Sequence, residues 1–311
     1  MPRTVAALAA LATLVVSAAL SGCSASGGAA VSAGDPARCP GKVVDVAVSV
    51  GQWGDLTRRL GGACATVTTI VSSAAVDPHD FEPGTSALAA ISDADLVVVN
   101  GAGYDHWAAD AVATLDPAPA VVSAAAVAGV AGSGADPHLW YSPKAVHAMS
   151  TAVARALARL ATPRAADYLA QRSAAWTDAL KPYDDAVRTL ADRARGHSFA
   201  ATEPVFDRMA QAIGLTDLTP EGYRRAVSND SDPAPGDLAA FEAALAGGEV
   251  DVLVYNTQTS GNVPAQLRAA AEHGGVPVVD VSESPPDATG SFVAWQVAQL
   301  EQLSNALGVT S

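Results

Sequence analysis

The sequence predicts an α/β fold with parallel sheets, divided into two halves about one long helix. Three observations predict it. Short apolar runs rich in Val, Ile and Thr alternate with helix-like stretches from about residue 43 to 160, the pattern of strand–helix–strand units. A long, charged, helical segment then runs to about residue 195, and beyond it the alternation starts again. From Cys39 to Ser311 the chain is long enough for two lobes or one large domain. Half of its residues are apolar, so a sizeable core is available.

In the first half, strands are expected over 43–50, 66–71, 96–100 and 120–123, with helices between them that include 54–60 and 85–91. Ser142-Pro143 is a helix start, with serine at the cap and proline in the first turn. Val146, Met149, Val153, Leu157 and Leu160 follow at spacings of three and four, as one buried helical face requires. Thr162-Pro163 repeats the start signal. In the segment 162–195, Tyr168, Trp176, Leu180, Tyr183, Val187 and Leu190 form an apolar stripe, and Pro182 is expected to kink it. Lying between two α/β halves, this helix reads as a structural spine. In the second half, strands are expected over 198–201, 250–255 and 276–281, with helices over 236–246, 264–273 and 290–307. The resulting division is a first lobe over 39–161, a linking helix over 162–195 and a second lobe over 196–311.

The N-terminus is set apart before any fold reasoning. Arg3 precedes an apolar stretch over 5–20 that is short for a membrane span, which needs roughly 20 apolar residues. Leu20-Ser21-Gly22-Cys23 closes it and resembles the bacterial lipobox. That resemblance implies that 1–22 is a signal peptide, cleaved before Cys23, and that the Cys23 thiol and new amine are acylated. More than one acyl chain gives stable anchoring, since a single chain binds only marginally. Residues 23–38 are small and polar and read as a flexible tether. The formal charge of −14 argues against nucleic acid as a partner, because phosphates demand basic patches. It is compatible with cation traffic.

With Cys23 assigned to lipid, Cys39 and Cys64 remain. Each stands at the entrance of an apolar, β-branched run, so neighbouring parallel strands would bring them together. In an oxidising compartment this favours a Cys39–Cys64 disulfide. A thiolate metal pair is the weaker reading, because no Cys-x-x-Cys spacing is present.

Two segments carry chemistry. Asp77-Pro78-His79-Asp80-Phe81-Glu82-Pro83 follows the second strand, and Asp136-Pro137-His138-Leu139-Trp140-Tyr141-Ser142-Pro143 precedes a helix. Ligands bind beyond the C-terminal ends of parallel strands, where both loops belong. Carboxylates beside a histidine orient the imidazole and raise its basicity, the part expected of Asp77, Glu82 and Asp136. One Asp-Pro-His is weak evidence; two at equivalent places argue for a shared site. Together with Ala94-Asp95-Leu96-Val97-Val98-Val99-Asn100-Gly101 between them, these segments resemble the solute-binding proteins of zinc and manganese ABC importers. The likeness runs through nearly the whole mature chain.

The resemblance implies two Rossmann-like α/β lobes joined by a rigid helix, with one divalent metal ion, Zn²⁺ or Mn²⁺, in the cleft between them. It makes His79 and His138 the ligands of the first lobe. After the first strand of the second lobe, where many members have histidine, this chain has Glu203. The last ligand is normally a carboxylate after the final strand, and here Glu283, just beyond the apolar run, stands ahead of Asp280 within it. Asn256 and Gln258, at the end of another strand, bond a ligand carboxylate, line the cleft or serve the turn. Imidazoles admit zinc, and carboxylates shift the balance toward manganese. The stretch 124–135 is short and holds no histidine, unlike the long His-rich loop of many zinc importers in the family, which weakens the zinc case.

The resemblance further implies a cognate ABC permease as partner, and the chain is expected to be a monomer and not an enzyme. A secreted zinc hydrolase is the poorer reading, since neither His-Glu-x-x-His nor Gly-x-Ser-x-Gly occurs. A lipoprotein binding a metal chelate or siderophore would be expected to converge arginines or aromatics on the cleft, in place of paired Asp-Pro-His loops.

Overall fold

Parallel strands need crossover connections, and the helices that make them cover both faces of the sheet. The computed structural model describes residues 29–74, 76, 81–132, 134–229, 231–259, 261–286 and 290–309. The expected signal peptide over 1–22, the expected lipid attachment at Cys23, and the Asp77 and His79 of the first motif all lie outside the described residues.

The first lobe contains β1 (Ala30–Ser32), β2 (Val44–Val50), α1 (Gly51–Gly61), β3 (Ala65–Val71), α2 (Thr85–Ser92), β4 (Leu96–Val99), α3 (His106–Ala113), β5 (Ala120–Ser123), α4 (Ala124–Ala128) and α5 (Pro143–Leu160). Its sheet has the order β1-β3-β2-β4-β5, parallel except for β1. The spine α6 (Ala166–Arg193) follows. The second lobe contains β6 (Ser198–Ala201), α7 (Asp207–Ile213), β7 (Thr216–Asp217), α8 (Glu221–Val227), α9 (Pro235–Ala246), β8 (Val252–Asn256), α10 (Asn262–Gly274), β9 (Val278–Val281) and α11 (Phe292–Ala306). Its sheet, β7-β6-β8-β9, is wholly parallel.

The sequence signals act as expected at several points. Ser142 caps α5, its Oγ accepting from the Ala145 N–H, and Val146, Met149, Val153 and Leu157 are buried. The spine runs unbroken through Pro182 and buries Trp176, Leu180, Tyr183 and Leu190. It begins after a 3-10 turn over Pro163–Ala165, and Thr162 makes no capping bond. One expectation is corrected. The tether does not extend to residue 38, because Ala30–Ser32 pairs antiparallel with β3 along the sheet edge and the Cys39 N–H donates to the Asp35 carbonyl. Small β-compatible residues beside an open sheet edge gain backbone partners that a free linker lacks.

The register Val44↔Ala65 sets the starts of β2 and β3 side by side. Cys39 and Cys64 are thereby joined in a disulfide, with their Cα atoms 4.9 Å apart.

Side chains alternate across the second sheet. Phe199, Ala201, Val252, Val254, Val279 and Val281 join the large core shared with the spine and the first lobe. Ala200, Leu253 and Val278 face a separate cluster with Tyr223, Phe241 and Leu267. The two lobes and the spine therefore share one continuous apolar core. α11 packs on α6, where Phe292 meets Tyr183 and Trp176, and its first turn is tied to the first lobe by the Phe292 N–H donating to Asp55 Oδ2 at 3.0 Å.

Candidate metal centre between the lobes

The C-terminal ends of β4, β6, β8 and β9 and the loop before α5 meet between the two lobes. After β4 the chain turns through Gly101, Ala102 and Gly103, all with positive φ. Gly101 is required there, since a Cβ would come within 2.7 Å of Ser123 Oγ and 2.9 Å of the Ala125 Cβ. Buried Asp105 organises the turn, accepting from Ser49 Oγ and from the Asn100 and Gly101 N–H groups. Burial nevertheless pushes its carboxyl above the ordinary value. Asn100 Nδ2 then donates to the Pro137 carbonyl at 2.9 Å and so holds the second Asp-Pro-His segment.

His138 is 8% exposed, with Trp140 and Tyr104 against its ring. Its Nδ1 is 2.7 Å from Asp136 Oδ1, which also accepts the His138 backbone N–H at 2.9 Å. Burial pushes the Asp136 carboxyl up, but the His138 contacts and the Arg208 charge outweigh that and leave it below its ordinary value. An ionised Asp136 accepts a hydrogen bond from Nδ1–H, which leaves the Nε2 lone pair free. That Nε2 faces Glu283 Oε2 at 3.8 Å.

The two glutamates come from the second lobe. Thr202 fixes the chain beyond β6: the Asn256 N–H donates to its Oγ1, and Tyr223 O–H to its carbonyl. Asn256 Nδ2 then donates to Glu203 Oε2 at 2.5 Å and Glu283 Oε1 at 3.0 Å. Among the described residues neither glutamate pairs with lysine or arginine. Burial raises the Glu203 carboxyl above its ordinary value; the nearby Thr259 hydroxyl and the bond from Asn256 oppose this, and the Glu283 charge adds to it.

The loop carrying Glu283 is clamped from both lobes. Gln52 Nε2 donates to the Glu283 carbonyl at 2.8 Å and Tyr104 O–H to Glu283 Oε2 at 3.2 Å. Tyr141 O–H donates toward the Ser282 carbonyl, 2.7 Å away, and Trp295 Nε1 to Ser282 Oγ. Gln258 bridges the lobes, its Nε2 donating to the Ala74 carbonyl and its Oε1 accepting the Ser284 N–H.

Thus the structure brings His138, Asp136, Glu203, Glu283, Asn256 and Gln258 together. It does not bring Asp280. That carboxylate lies on the opposite face of β9, in a two-pronged pair with Arg268 at 2.9 and 3.2 Å. Glu82 is exposed before α2. Among the described residues, no three His, Cys, Asp or Glu side chains stand close enough together to hold a metal; the first motif's histidine is outside that set. Gln52, Tyr104 and Arg208 are absent from the residues singled out in sequence. Tyr104 follows the C-terminal end of β4, a position that marks it in hindsight, whereas Arg208 stands on a helix with no local signal.

Two α/β lobes on a shared helical spine, with polar groups from both meeting between them, are the architecture of a solute-binding protein. The chain belongs to the family described as zinc-uptake complex component A, periplasmic, which matches residues 46–306, so the resemblance seen in the motifs holds. The high-affinity zinc uptake system protein ZnuA of Bacillus subtilis is 25% identical over 210 residues, 62% of this chain and 64% of that protein. The manganese-binding lipoprotein MntA of Halalkalibacterium halodurans is 30% identical over 109 residues, 34% of this chain and 36% of that one. The chain thus spans under two thirds of the length of these relatives. Among solved structures, the periplasmic zinc-binding protein TroA from Treponema pallidum superposes with a TM-score of 0.70 at 20% identity, covering 84% of this chain and 98% of that one.

Proposed function

We propose that this chain captures a divalent transition metal ion, Zn²⁺ or Mn²⁺, outside the cytoplasm and delivers it to an ABC permease. A lipid on Cys23 holds it at the membrane. The ligands in this reading are His79, His138, Glu203 and Glu283. The observation that carries it is that Glu283 lies 3.8 Å from His138 Nε2 of the other lobe and shares the Asn256 amide with Glu203, neither carboxylate having a lysine or arginine partner among the described residues. Like charges brought together in a half-buried cleft repel, and a divalent cation relieves that repulsion. Nitrogen and carboxylate donors suit first-row metals; the two family relatives, one named for zinc and one for manganese, support the same class.

Titration calorimetry tests the reading. Replacing His79 and His138 together by Ala is expected to abolish tight binding of Zn²⁺ and Mn²⁺. Unchanged affinity in that double variant would overturn the site. Elemental analysis of protein purified without added metal, followed by Zn²⁺/Mn²⁺ competition, identifies which ion it prefers.

A further inference from the structure

Arg208 stands on α7, in the second lobe, yet its head group lies on the first lobe's Asp-Pro-His segment. Its Nε lies 2.8 Å from Asp136 Oδ2 as an ion pair, without the alignment of a hydrogen bond, and an Nη2 N–H donates to the Asp136 carbonyl. One guanidinium therefore grips both the side chain and the main chain of Asp136. The two carboxylate oxygens are divided between tasks, since Oδ1 takes Nδ1 and the backbone N–H of His138 and Oδ2 takes Arg208. The base of the arginine is fixed as well, because Met209, Ala210 and Ile213 of the same helix are buried in the core shared by both lobes. A rigid guanidinium held at two points, one by charge and one by a hydrogen bond, fixes position better than a flexible ammonium does.

We propose that Arg208 is a positioning residue for the first-lobe imidazole: it fixes Asp136, and through Asp136 the ring and tautomer of His138, from the opposite lobe. The inference rests on His138 being a metal ligand. Its consequence is that the clamp on Asp136, behind the first lobe's donor, is complete only while the second lobe is docked against it. Groups behind metal-bound histidines typically change metal affinity about 10- to 100-fold.

The test combines Zn²⁺ titration of the full chain with nitrogen NMR of the apo protein. Arg208→Met is expected to weaken Zn²⁺ binding at least about tenfold and to erase the Nδ1–H preference of the His138 ring. The same substitution made on Asp136→Ala is expected to add less than about twofold, because the two residues act as one unit. Should the methionine variant not fold, Arg208→Lys, which keeps the charge but not the two-pronged contact, carries the same measurements with a smaller expected loss. Affinity and tautomer both unchanged in the Arg208 variants, or a full loss persisting on the Asp136→Ala background, overturn the inference. His138→Ala distinguishes the two levels. If it leaves Zn²⁺ affinity intact, the ligand reading fails whatever Arg208 does; if it abolishes binding while Arg208→Met binds as the unaltered protein, only the positioning role fails.

Discussion

At the scale of single residues, the cleft between the lobes is arranged so that charge is held and not dispersed. Asp207, one turn beyond Glu203, shows this away from the donor groups. Burial, with the nearby Asp217 and Asp136 charges, pushes its carboxyl up to about 6, against some relief from Arg224. A carboxyl raised on folding binds more protons folded than unfolded between its ordinary value and that one. Its contribution to stability is therefore fully present below about pH 4 and lost as the pH rises through about 6. Asp207→Asn is expected to flatten this part of the curve of apo stability against pH and to stabilise the apo protein at pH 7. Urea titrations from pH 4 to 7 check it, and parallel curves for the two proteins would refute it. The sequence offers no sign of this, because Asp217 and Asp136 reach Asp207 only through tertiary packing.

At the scale of elements, β9 puts the two carboxylates that sequence reasoning ranked in different surroundings. Side chains alternate along a strand, so with Val279 and Val281 in the shared core, Asp280 must face α10. There Arg268 meets it. Glu283, past the strand's end, is released from that alternation and turned inward by Gln52 and Tyr104. Asp280→Asn is expected to leave Zn²⁺ affinity within about twofold and to lower stability by at most about 1 kcal/mol, the range of exposed ion pairs. Glu283→Gln should weaken Zn²⁺ binding by 10-fold or more, on the order of a lost charged ligand contact. Calorimetric titration of both variants decides it, and a larger binding loss in the first than in the second reverses the assignment. Parity along the strand was legible in sequence, as were the helix start at Ser142 and the long helix between the two alternating halves. The short strands β1 and β7 were not, because a run of three residues or fewer carries no periodicity and forms only where a sheet edge awaits it. Arg208 was illegible for a related reason, as its meaning depends on a partner 72 residues away.

At the scale of the whole molecule, the large core runs without interruption through the first lobe, the spine, α11 and one face of the second sheet. Lobes that share a core unfold together. Differential scanning calorimetry is expected to record one main transition, and two well-separated ones would contradict the shared seam. An ion that binds only the folded chain adds about 2.7 kcal/mol at a free concentration 100 times its Kd. That raises the midpoint by about 4–5 °C for a protein of this size, and the shift should vanish in the His79/His138 double variant. The edge strand β1 sets a different kind of limit. Only seven residues, Cys23 to Ala29, precede it in the mature chain expected from the lipobox, and fully extended they reach at most about 25 Å. Were Cys23 lipidated as proposed, the protein would be a buoy on a short mooring line: it would drift in the plane of the bilayer and meet the proposed permease by searching two dimensions, with β1 no farther than that reach from its anchor.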